Sequence, residues 1–421
     1  VLGTTGCSST TTSPVISKVA VQVGKLVTSD TLSGPLQGTL QADHTYYLAS
    51  DITIPRGDTL LMQAGAKIIV LGAAPKAPAA PQITVLGTFI SLGTKAKPNY
   101  ITIPTSQQTY ANLPQGMWAG IQGDTGSGDL IIKWTHIEYA GSPARAGNKY
   151  GIWFQSQTHN FILEDSWIYG ASDDPIRVSG GHISVMRNTF ECGGLSGGDA
   201  LNMKSGTIGD VAYNLFVGTP TNGPKLSNKG GSTVQTNVNV YNNTIVNSGW
   251  RQTQAGRSGS TNIEEGARGT IYNNLIVNCR TGLRLFVTPL ADTAHCYYDA
   301  QYYYGATPAI VNGPSNGGFY PTDGVQIKQP HDVAGNAGDN DPLFVNFNVK
   351  QFVGRDSVYV WPTAFSYMAQ DMTTVGTSDF HLKSTSPAIG KGFTGPAPVA
   401  VPMRACPQGG DFGAQTDGLG K

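Results

Sequence analysis

Charged residues are scarce in this chain of 421 residues, and their scarcity excludes one large class of partners. Asp, Glu, Lys and Arg make up 13% of the sequence, against roughly 25% in typical soluble domains. The 27 basic residues are balanced by 27 acidic ones, so the formal net charge is zero. A protein that neutralises nucleic-acid phosphates needs an excess of Lys and Arg. The sequence therefore predicts no nucleic-acid partner.

Long apolar runs and metal-binding cysteine patterns are absent as well. No apolar run reaches the length of about 18 residues that a membrane-spanning helix needs, so no transmembrane span is predicted. The five cysteines are Cys7, Cys192, Cys279, Cys296 and Cys406. None forms a CxxC pair, which argues against a structural zinc site. Cys279 and Cys296 are close enough in sequence to pair, but the sequence does not decide whether they do.

Helical periodicity is nearly absent, and a short strand-like unit recurs in its place. Its clearest copies align Asn188, Asn214, Asn243 and Asn274, each followed at the second position by an apolar residue. Extending the pattern backwards aligns Asp165 with Asn188. Strands of this kind bury their apolar face only when coils stack, about 4.8 Å apart, into a continuous column. Asparagines at matching turns then form a hydrogen-bonded ladder, and the 54 glycines supply the turns.

Several motifs resemble right-handed parallel β-helix proteins of bacterial surfaces. Residues 117–121 and 134–141 are similar to their opening coils, and residues 241–247 to their central coils. Segments similar to the closing part of pectate-lyase-like β-helix proteins occur at residues 341–345, 386–390 and 411–414. The resemblance implies an all-β, right-handed parallel β-helix solenoid with a looped C-terminal end. It says little about function, because this fold hosts lyases, hydrolases, adhesins and structural proteins.

This solenoid organisation divides the chain into three parts. Residues 1–39 are expected to form a tail and leading strands, residues 40–290 the coils, and residues 291–421 loop-rich insertions and closing coils. The start of the chain resembles the end of a bacterial lipoprotein signal, although Thr4 stands where a branched apolar residue is preferred. This resemblance implies a lipid anchor at Cys7, and a processed secreted protein is the alternative. Both predict an extracellular or outer-surface location.

Polar residues at the centres of successive strands define the candidate site. Their apolar neighbours point inward, so the central side chains point outward. The predicted outward stripe consists of Trp153, Arg177, Asn202, Glu264 and Arg284, with Lys204 one position further along the same face. Asp173, Asp174 and Asp199 precede two of these strands. In a chain so poor in charge, this concentration indicates a ligand-binding surface. The alternative is an ordinary solvated face.

An aromatic ring, planar donors and carboxylates in one stripe suit an acidic polysaccharide. β-Elimination of a uronic acid polymer needs a base for the C5 proton and a cation beside the neighbouring carboxylate. Lys204 is the candidate base, with Arg177 as the alternative, because neighbouring positive charge lowers the pKa of such groups. The candidate substrate-binding residues are Trp153, Asn202, Glu264 and Arg284. By resemblance to β-helix lyases, Asp173, Asp174 and Asp199 are candidate calcium ligands.

The resulting hypothesis is a surface protein that binds an acidic polysaccharide, and whether it also cleaves the polymer stays open. If it does, a lyase is favoured over a glycoside hydrolase, which would need two carboxyls about 5–9.5 Å apart. The alternative is a non-catalytic adhesin or a structural component of an envelope assembly. For that alternative, the tyrosines between Tyr297 and Tyr304, which interrupt the repeat, are a candidate protein interface. They could equally stack on sugars or pack a loop against the solenoid.

Overall fold

A computed structural model of the protein describes residues 24–191, 193–194, 197–230, 232–252, 254, 256–313, 317–352, 374–375 and 378–393. Within these residues the chain forms long parallel sheets of nineteen and ten strands, which stack as a parallel β-helix. The predicted all-β solenoid is thus confirmed. Some of the residues discussed above lie outside the described segments. They are Cys192, Cys406, the motif at residues 411–414, and Cys7 with its predicted lipid anchor.

Each complete coil contributes three strands, which stack on the equivalent strands of neighbouring coils and so create three faces. The A face is the ten-stranded sheet. The B and C faces are two parallel ladders of the nineteen-stranded sheet, and they join at Thr45–Ile54, which pairs with strands of both ladders.

The strands of the A face are Gly38–Leu40, Thr59–Met62, Thr88–Leu92, Leu130–Lys133, Asn160–Glu164, His182–Met186, Ile208–Ala212, Asn237–Tyr241, Arg268–Tyr272 and Tyr297–Asp299. Those of the B face are Thr31–Pro35, Thr45–Ile54, Lys67–Val70, Asn99–Thr102, Thr135–Ala140, Trp167–Ala171, Thr189–Glu191, Leu215–Val217, Thr244–Val246, Leu275–Val277 and Tyr302–Tyr304. Those of the C face are Ile83–Val85, Ile121–Gly123, Ile152–Phe154, Ile176–Ser179, Leu201–Lys204, Pro224–Ser227, Asn262–Glu264 and Arg284–Leu285.

Helices are short wherever the structure describes the chain. They are the α-helix Pro308–Asn312 and the 3-10 helices Thr105–Gln107, Tyr110–Gln115, Thr293–His295 and Val349–Gln351. None of the helices in the described segments has both the length and the apolar character needed to cross a membrane.

Apolar columns fill the interior of the solenoid. On the A face, Val185, Val211, Val240 and Ile271 pair from rung to rung, and each is fully buried. Burial of an aliphatic side chain of this size is worth roughly 1.5–3 kcal/mol, so stacked columns account for much of the stability. The period-2 alternation of the sequence creates these columns, because every second side chain of a strand faces the same side.

The corner between the A and B faces carries the predicted asparagine ladder. The backbone N–H and Nδ2 of Asn188 donate to Oδ1 of Asn214 at 3.0 and 2.9 Å. Equivalent pairs of bonds join Asn214 to Asn243 and Asn243 to Asn274. The ladder is therefore confirmed. The residues that precede these asparagines are in the left-handed region, with φ of 56° at Arg187, 58° at Tyr213, 51° at Asn242 and 55° at Asn273. The ladder bonds help to compensate for this unfavourable conformation.

The backward extension of the repeat was wrong by one residue. Ser166, rather than Asp165, precedes Asn188 in the ladder, because the Ser166 N–H donates to Oδ1 of Asn188 at 2.9 Å. Asp165 instead occupies the left-handed corner position, with φ of 52°. A shift of one residue moves a side chain to the other face of a strand, so sequence spacing alone did not fix this register.

The tyrosines do not interrupt the repeat, contrary to the prediction. Tyr297–Asp299 and Tyr302–Tyr304 are strands of the last coil on the A and B faces. Tyr302, Tyr303 and Tyr304 are at most 1% exposed. These three rings pack within the molecule and offer no surface on which a sugar could stack.

The outer surface of the last B-face strands is covered by a small antiparallel sheet. Its strands are Phe344–Asn346, Thr374–Val375 and Ser378–Leu382. The rings of Phe344 and Phe380 lie 5.3 Å apart and belong to one buried cluster with Leu275 and Tyr302. Cys279 and Cys296 are both free thiols, so the pairing that the sequence left open does not occur.

Candidate functional site

Three rows of side chains run along the outer surface of the C face, parallel to the solenoid axis. The first row, aligned by strand register, consists of Trp153, Arg177, Asn202, Lys225, Asn262 and Arg284. The second row lies two residues further along each strand and contains the register pairs Ser179 with Lys204 and Ser227 with Glu264. Asp174, Asp199 and Asn222, each three residues before a member of the first row, form the third.

The register corrects one position of the predicted stripe. Glu264 was expected beside Asn202 in a single row, but Asn262 occupies that row and Glu264 lies in the second row. The reason is that Ile263, at 0% exposure, is the inward-facing residue of this strand, with Asn262 and Glu264 on either side of it. Both of these polar side chains therefore face outward.

A cleft of about 810 Å³ lies over these rows. The predicted site residues that line it are Asp173, Asp174, Arg177, Asp199, Asn202, Lys204, Glu264 and Arg284. Trp153 is the exception, because it lies one rung beyond the cleft, in register with Arg177. The loop around Gln252 and Arg257 and the segment around Pro289 complete the walls.

Asp174 and Asp199 form a closely linked pair at one end of the cleft. Nδ2 of Asn202 donates to Oδ2 of Asp174 at 2.8 Å and to Oδ2 of Asp199 at 3.1 Å. The Asp199 N–H also donates to Oδ1 of Asp174 at 2.8 Å. Since one nitrogen contacts both carboxyls, their Oδ2 atoms are less than about 6 Å apart, which is closer than the roughly 6.5–9.5 Å of inverting glycosidases.

The two aspartates differ in their surroundings. Asp174 is 4% exposed, and burial, followed by the charges of Asp199 and Asp173, raises its pKa to about 7. Asp199 accepts a further hydrogen bond from Nδ2 of Asn222 at 2.7 Å and lies 3.7 Å from Nζ of Lys225. The contacts of Asp199 are thus with amide donors and a cation, whereas Asp174 is buried beside other carboxyls. Asp174 is therefore suited to hold a proton near neutral pH.

Lys204 differs from most other cations of the cleft because it has no ion-pair partner among the described residues. Arg177, Lys225, Lys229 and Arg284 each lie within 4 Å of a carboxylate. Lys204 is only 8% exposed. Its burial, reinforced by the positive charges of Arg177 and Lys225, lowers its pKa below the ordinary lysine value. A neutral amine is therefore easier to form at Lys204 than at an exposed lysine.

Lys225 lies at the centre of the cleft, between Asp199 and Glu264. Its Nζ is 2.9 Å from Oε1 of Glu264 and 3.7 Å from Oδ2 of Asp199. Burial lowers the pKa of Lys225, but the two carboxylates outweigh that effect and the net pKa is raised. Lys225 therefore remains charged and holds both carboxylates in place.

The far end of the cleft is built around Arg284. Its Nε donates to Oδ1 of Asn262 at 2.9 Å, and its guanidinium pairs with Asp323 at 3.2 Å. The same guanidinium lies 4.6 Å from the centre of the Phe286 ring. At 1% exposure, Arg284 is more suited to shaping this end of the cleft than to pairing with a ligand.

Sequence reasoning missed Lys225, Asn222 and Arg257. A signal existed for Lys225, because it stands between Pro224 and Leu226 at 23 residues from Asn202, within the repeat length. The strand of this rung was not recognised because a proline, Pro224, occupies an inward position in it. Arg257 lies in a loop whose approach to the cleft no periodicity indicates.

The described residues do not fit the predicted calcium site. No three His, Cys, Asp or Glu side chains of the described segments are grouped so as to hold a metal ion. Oxygens of Asp174 and Asp199 already accept hydrogen bonds from Asn202 and Asn222, whereas Ca²⁺ requires about six to eight oxygen ligands. Calcium stays a prediction from the resemblance.

Comparison with known proteins gives no relative. No protein-family model matches the chain, and neither a curated protein nor a solved structure matches it. The chemistry of the cleft therefore carries the functional proposal.

Proposed function

We propose that the protein binds an acidic polysaccharide in the C-face cleft and cleaves it by β-elimination, with Lys204 as the base. The observation that carries this proposal is the state of Lys204, a buried cleft lysine with a lowered pKa and no ion-pair partner among the described residues. A lysine held only for structure is normally paired or exposed. A lysine whose pKa is lowered can act as a general base nearer neutral pH.

The elimination moves one proton to the enzyme and one to the leaving group. Nζ of neutral Lys204 takes the C5 proton of a uronate, and the C5–H electron pair forms the C4–C5 double bond. The C4–O bond breaks, and its oxygen receives the proton held by Asp174. Arg177 lies beside Asp174, with its NH1 at 3.8 Å from Oδ2. Because Asp174 is neutral when protonated, the Arg177 charge is left to pair with the carboxylate of the neighbouring sugar and so to hold the polymer beside the cleaved bond.

Hydrolysis is the second candidate, and the Asp174–Asp199 pair is the observation that favours it. In glycosidases one carboxyl protonates the leaving oxygen while a second, ionised carboxyl attacks the sugar or activates water. Carboxyls about 5–5.5 Å apart belong to enzymes that retain configuration. In that mechanism Asp174 would be the acid and Asp199 the nucleophile, while Lys204 would only bind substrate.

Product analysis distinguishes these alternatives. Purified protein is incubated with polygalacturonate and with alginate, and both the ultraviolet absorbance of unsaturated ends and the number of new reducing ends are followed. Equal growth of both signals supports elimination, and reducing ends without absorbance support hydrolysis. Binding without either product would support the alternative hypothesis, in which the protein is a non-catalytic surface adhesin that binds carbohydrate. No binding to either polymer would contradict the proposal.

Substitution of the base tests the role of Lys204 directly. Lys204→Ala is expected to lower the elimination rate by roughly 10²–10⁴-fold, the usual contribution of a general base, while polymer binding changes far less. The matched control is Lys97→Ala, which removes an exposed lysine paired with Asp43 outside the cleft. A Lys204→Ala enzyme with unchanged turnover would exclude Lys204 as the base. The outer-surface location and the lipid anchor at Cys7 stay predictions.

A further inference from the structure

An aromatic platform continues the cleft by one rung beyond Arg177. Trp153 is the register partner of Arg177, and both Trp153 and Tyr150 are half-buried. Their rings meet edge to face, with centres 5.6 Å apart and an angle of 80° between the planes. This platform, Tyr150 with Trp153, borders the end of the cleft at which the reacting groups lie.

The platform holds its members in fixed positions. Nε1 of Trp153 donates to Oγ of Ser179 at 3.2 Å, which sets the orientation of the indole. The Arg177 guanidinium lies 4.6 Å from the centre of the Tyr150 ring and donates a hydrogen bond to the Tyr150 hydroxyl. Stacking on a ring and a hydrogen bond at its edge restrict a side chain that would otherwise be mobile. Arg177 thus stands between the platform and Asp174, and its side chain is still 21% exposed.

We propose that Tyr150, Trp153 and Arg177 form a separate subsite for a uronate residue, one rung beyond the reacting groups. The indole packs against the apolar face of the pyranose ring, and the guanidinium pairs with the carboxylate. An aromatic side chain with a charged planar donor beside it suits a ring that carries both apolar C–H groups and a carboxylate. Tyr150 is a positioning residue, because it acts by holding Arg177.

This subsite determines the direction in which the bound polymer runs over the protein surface. The reacting groups, Asp174, Asp199 and Lys204, lie between the platform and the rungs of Lys225 and Arg284. A polymer that occupies the platform and the cleft together must run across the rungs, parallel to the solenoid axis. Its sugars then occupy both sides of the cleavage point, so internal bonds of long chains are cut in preference to terminal ones. This inference rests on the proposed function and adds substrate length and mode of cutting to it.

Oligogalacturonides of graded length, from two to eight sugars, test the subsite. Dissociation constants are measured by calorimetry for wild type, Trp153→Ala, Tyr150→Phe and the control Tyr47→Ala, which removes an exposed tyrosine on the B face. We expect wild-type affinity to rise with length until the chain reaches the platform. Trp153→Ala should weaken binding of long chains about ten-fold, the upper range for one aromatic contact, without changing that of short ones. Tyr150→Phe should give a smaller loss of the same kind, and Tyr47→Ala none.

The outcomes separate this inference from the proposed function. If Trp153→Ala binds long chains as tightly as wild type, the subsite is refuted even if elimination proceeds. An equal loss of affinity for short and long chains also refutes the subsite, because Trp153 would then support the structure of the whole cleft. The variant Trp153→Phe, which keeps an aromatic ring, checks that the loss of affinity is not due to misfolding. If length-dependent binding follows Trp153 but no product forms, the subsite stands and cleavage is refuted. If wild type binds neither oligogalacturonides nor alginate oligomers of the same lengths, both are refuted.

Discussion

At the scale of single residues, the cleft shows how identical side chains acquire different chemistry. Asp174 and Asp199 are neighbours on adjacent rungs and share one donor, Asn202. Asp174 is buried next to other carboxyls, and its pKa rises to about 7. Asp199 has Asn222 and Lys225 around it. Burial beside other carboxyls therefore prepares Asp174 to hold a proton near neutral pH.

The first prediction concerns the pH dependence of cleavage. Elimination needs Lys204 neutral and Asp174 protonated, so the wild-type profile of kcat/KM is expected to rise and then fall with pH. Asp174→Asn should slow the reaction and remove the falling limb, since an amide has no proton to lose. Asp43→Asn, at an exposed aspartate far from the cleft, should keep both limbs. A falling limb that persists in Asp174→Asn would mean that another group donates the proton.

The second prediction concerns Glu191, a carboxyl outside the cleft. Glu191 is 1% exposed, its two oxygens have no hydrogen-bond partner among the residues that the structure describes, and burial raises its pKa from 4.5 to about 8. Between these values the folded state binds more protons than the unfolded state, so stability falls as pH rises. Glu191→Gln cannot ionise and should lose less stability between pH 5 and pH 8, by an amount on the order of a few kcal/mol. Urea unfolding at both pH values measures this, and equal losses in both proteins would contradict the assignment.

At the scale of elements, the asparagine ladder is the feature that joins one coil to the next. The two central asparagines, Asn214 and Asn243, each serve two rungs at once, as an acceptor for the preceding asparagine and a donor to the following one. The same residue therefore satisfies polar groups at a corner where the chain turns and no strand ladder is available.

The third prediction is that the ladder contributes strongly to stability. Asn243→Ala removes bonds to Asn214 and Asn274 and leaves buried N–H groups without acceptors. The expected loss in the free energy of unfolding is about 3 kcal/mol. The control Asn336→Ala, at an exposed loop residue, should change stability by less than about 0.5 kcal/mol. Similar values for the two variants in guanidinium unfolding would show that the ladder bonds exchange freely for water.

A corner or strand could be predicted when its sequence signal lies within a few neighbouring residues. Asn188, Asn214, Asn243 and Asn274 were placed correctly because an asparagine and an apolar residue two positions later mark both a corner and a strand. Asp165 was misplaced by one residue because serine replaces asparagine at that rung. Register is set by pairing between coils, which a pattern within one coil does not contain.

The residues of the candidate site could be predicted where they lie on strands, but not where they lie on loops. Arg177, Asn202 and Lys204 were found because alternation assigns their faces. Tyr150 and Arg257 were not, since they belong to loops whose positions depend on the packing of the whole solenoid.

At the scale of the whole molecule, the last coils are covered by a small antiparallel sheet. The last B-face strands direct apolar side chains outward, and the sheet that contains Phe344 and Phe380 buries them. The sequence indicated loops and closing coils in this part of the chain. It did not reveal the sheet, because its strands are short and Phe344–Asn346 pairs with a strand that is distant in sequence.

The fourth prediction is that this cover detaches without unfolding the coils. Phe380 is fully buried between the small sheet and the solenoid. Phe380→Ala should cost about 3–5 kcal/mol locally, enough to expose Phe344–Asn346 and Ser378–Leu382 to protease. Since each coil contacts mainly its neighbours, the remaining coils should stay folded. Limited proteolysis followed by mass spectrometry reads this out, and cleavage spread evenly over the chain would show that the cover and the coils unfold together.

The three rows of the cleft have a thermodynamic consequence for the molecule that carries them. Neighbours within a row are more than twenty residues apart in the chain, and the first row takes one residue from each rung. A polymer lying along the rows would therefore connect several coils at once, whereas the strand pairing joins each coil mainly to its neighbours. Ligand binding should then make melting of the central coils more cooperative, sharpening the transition as well as raising its midpoint.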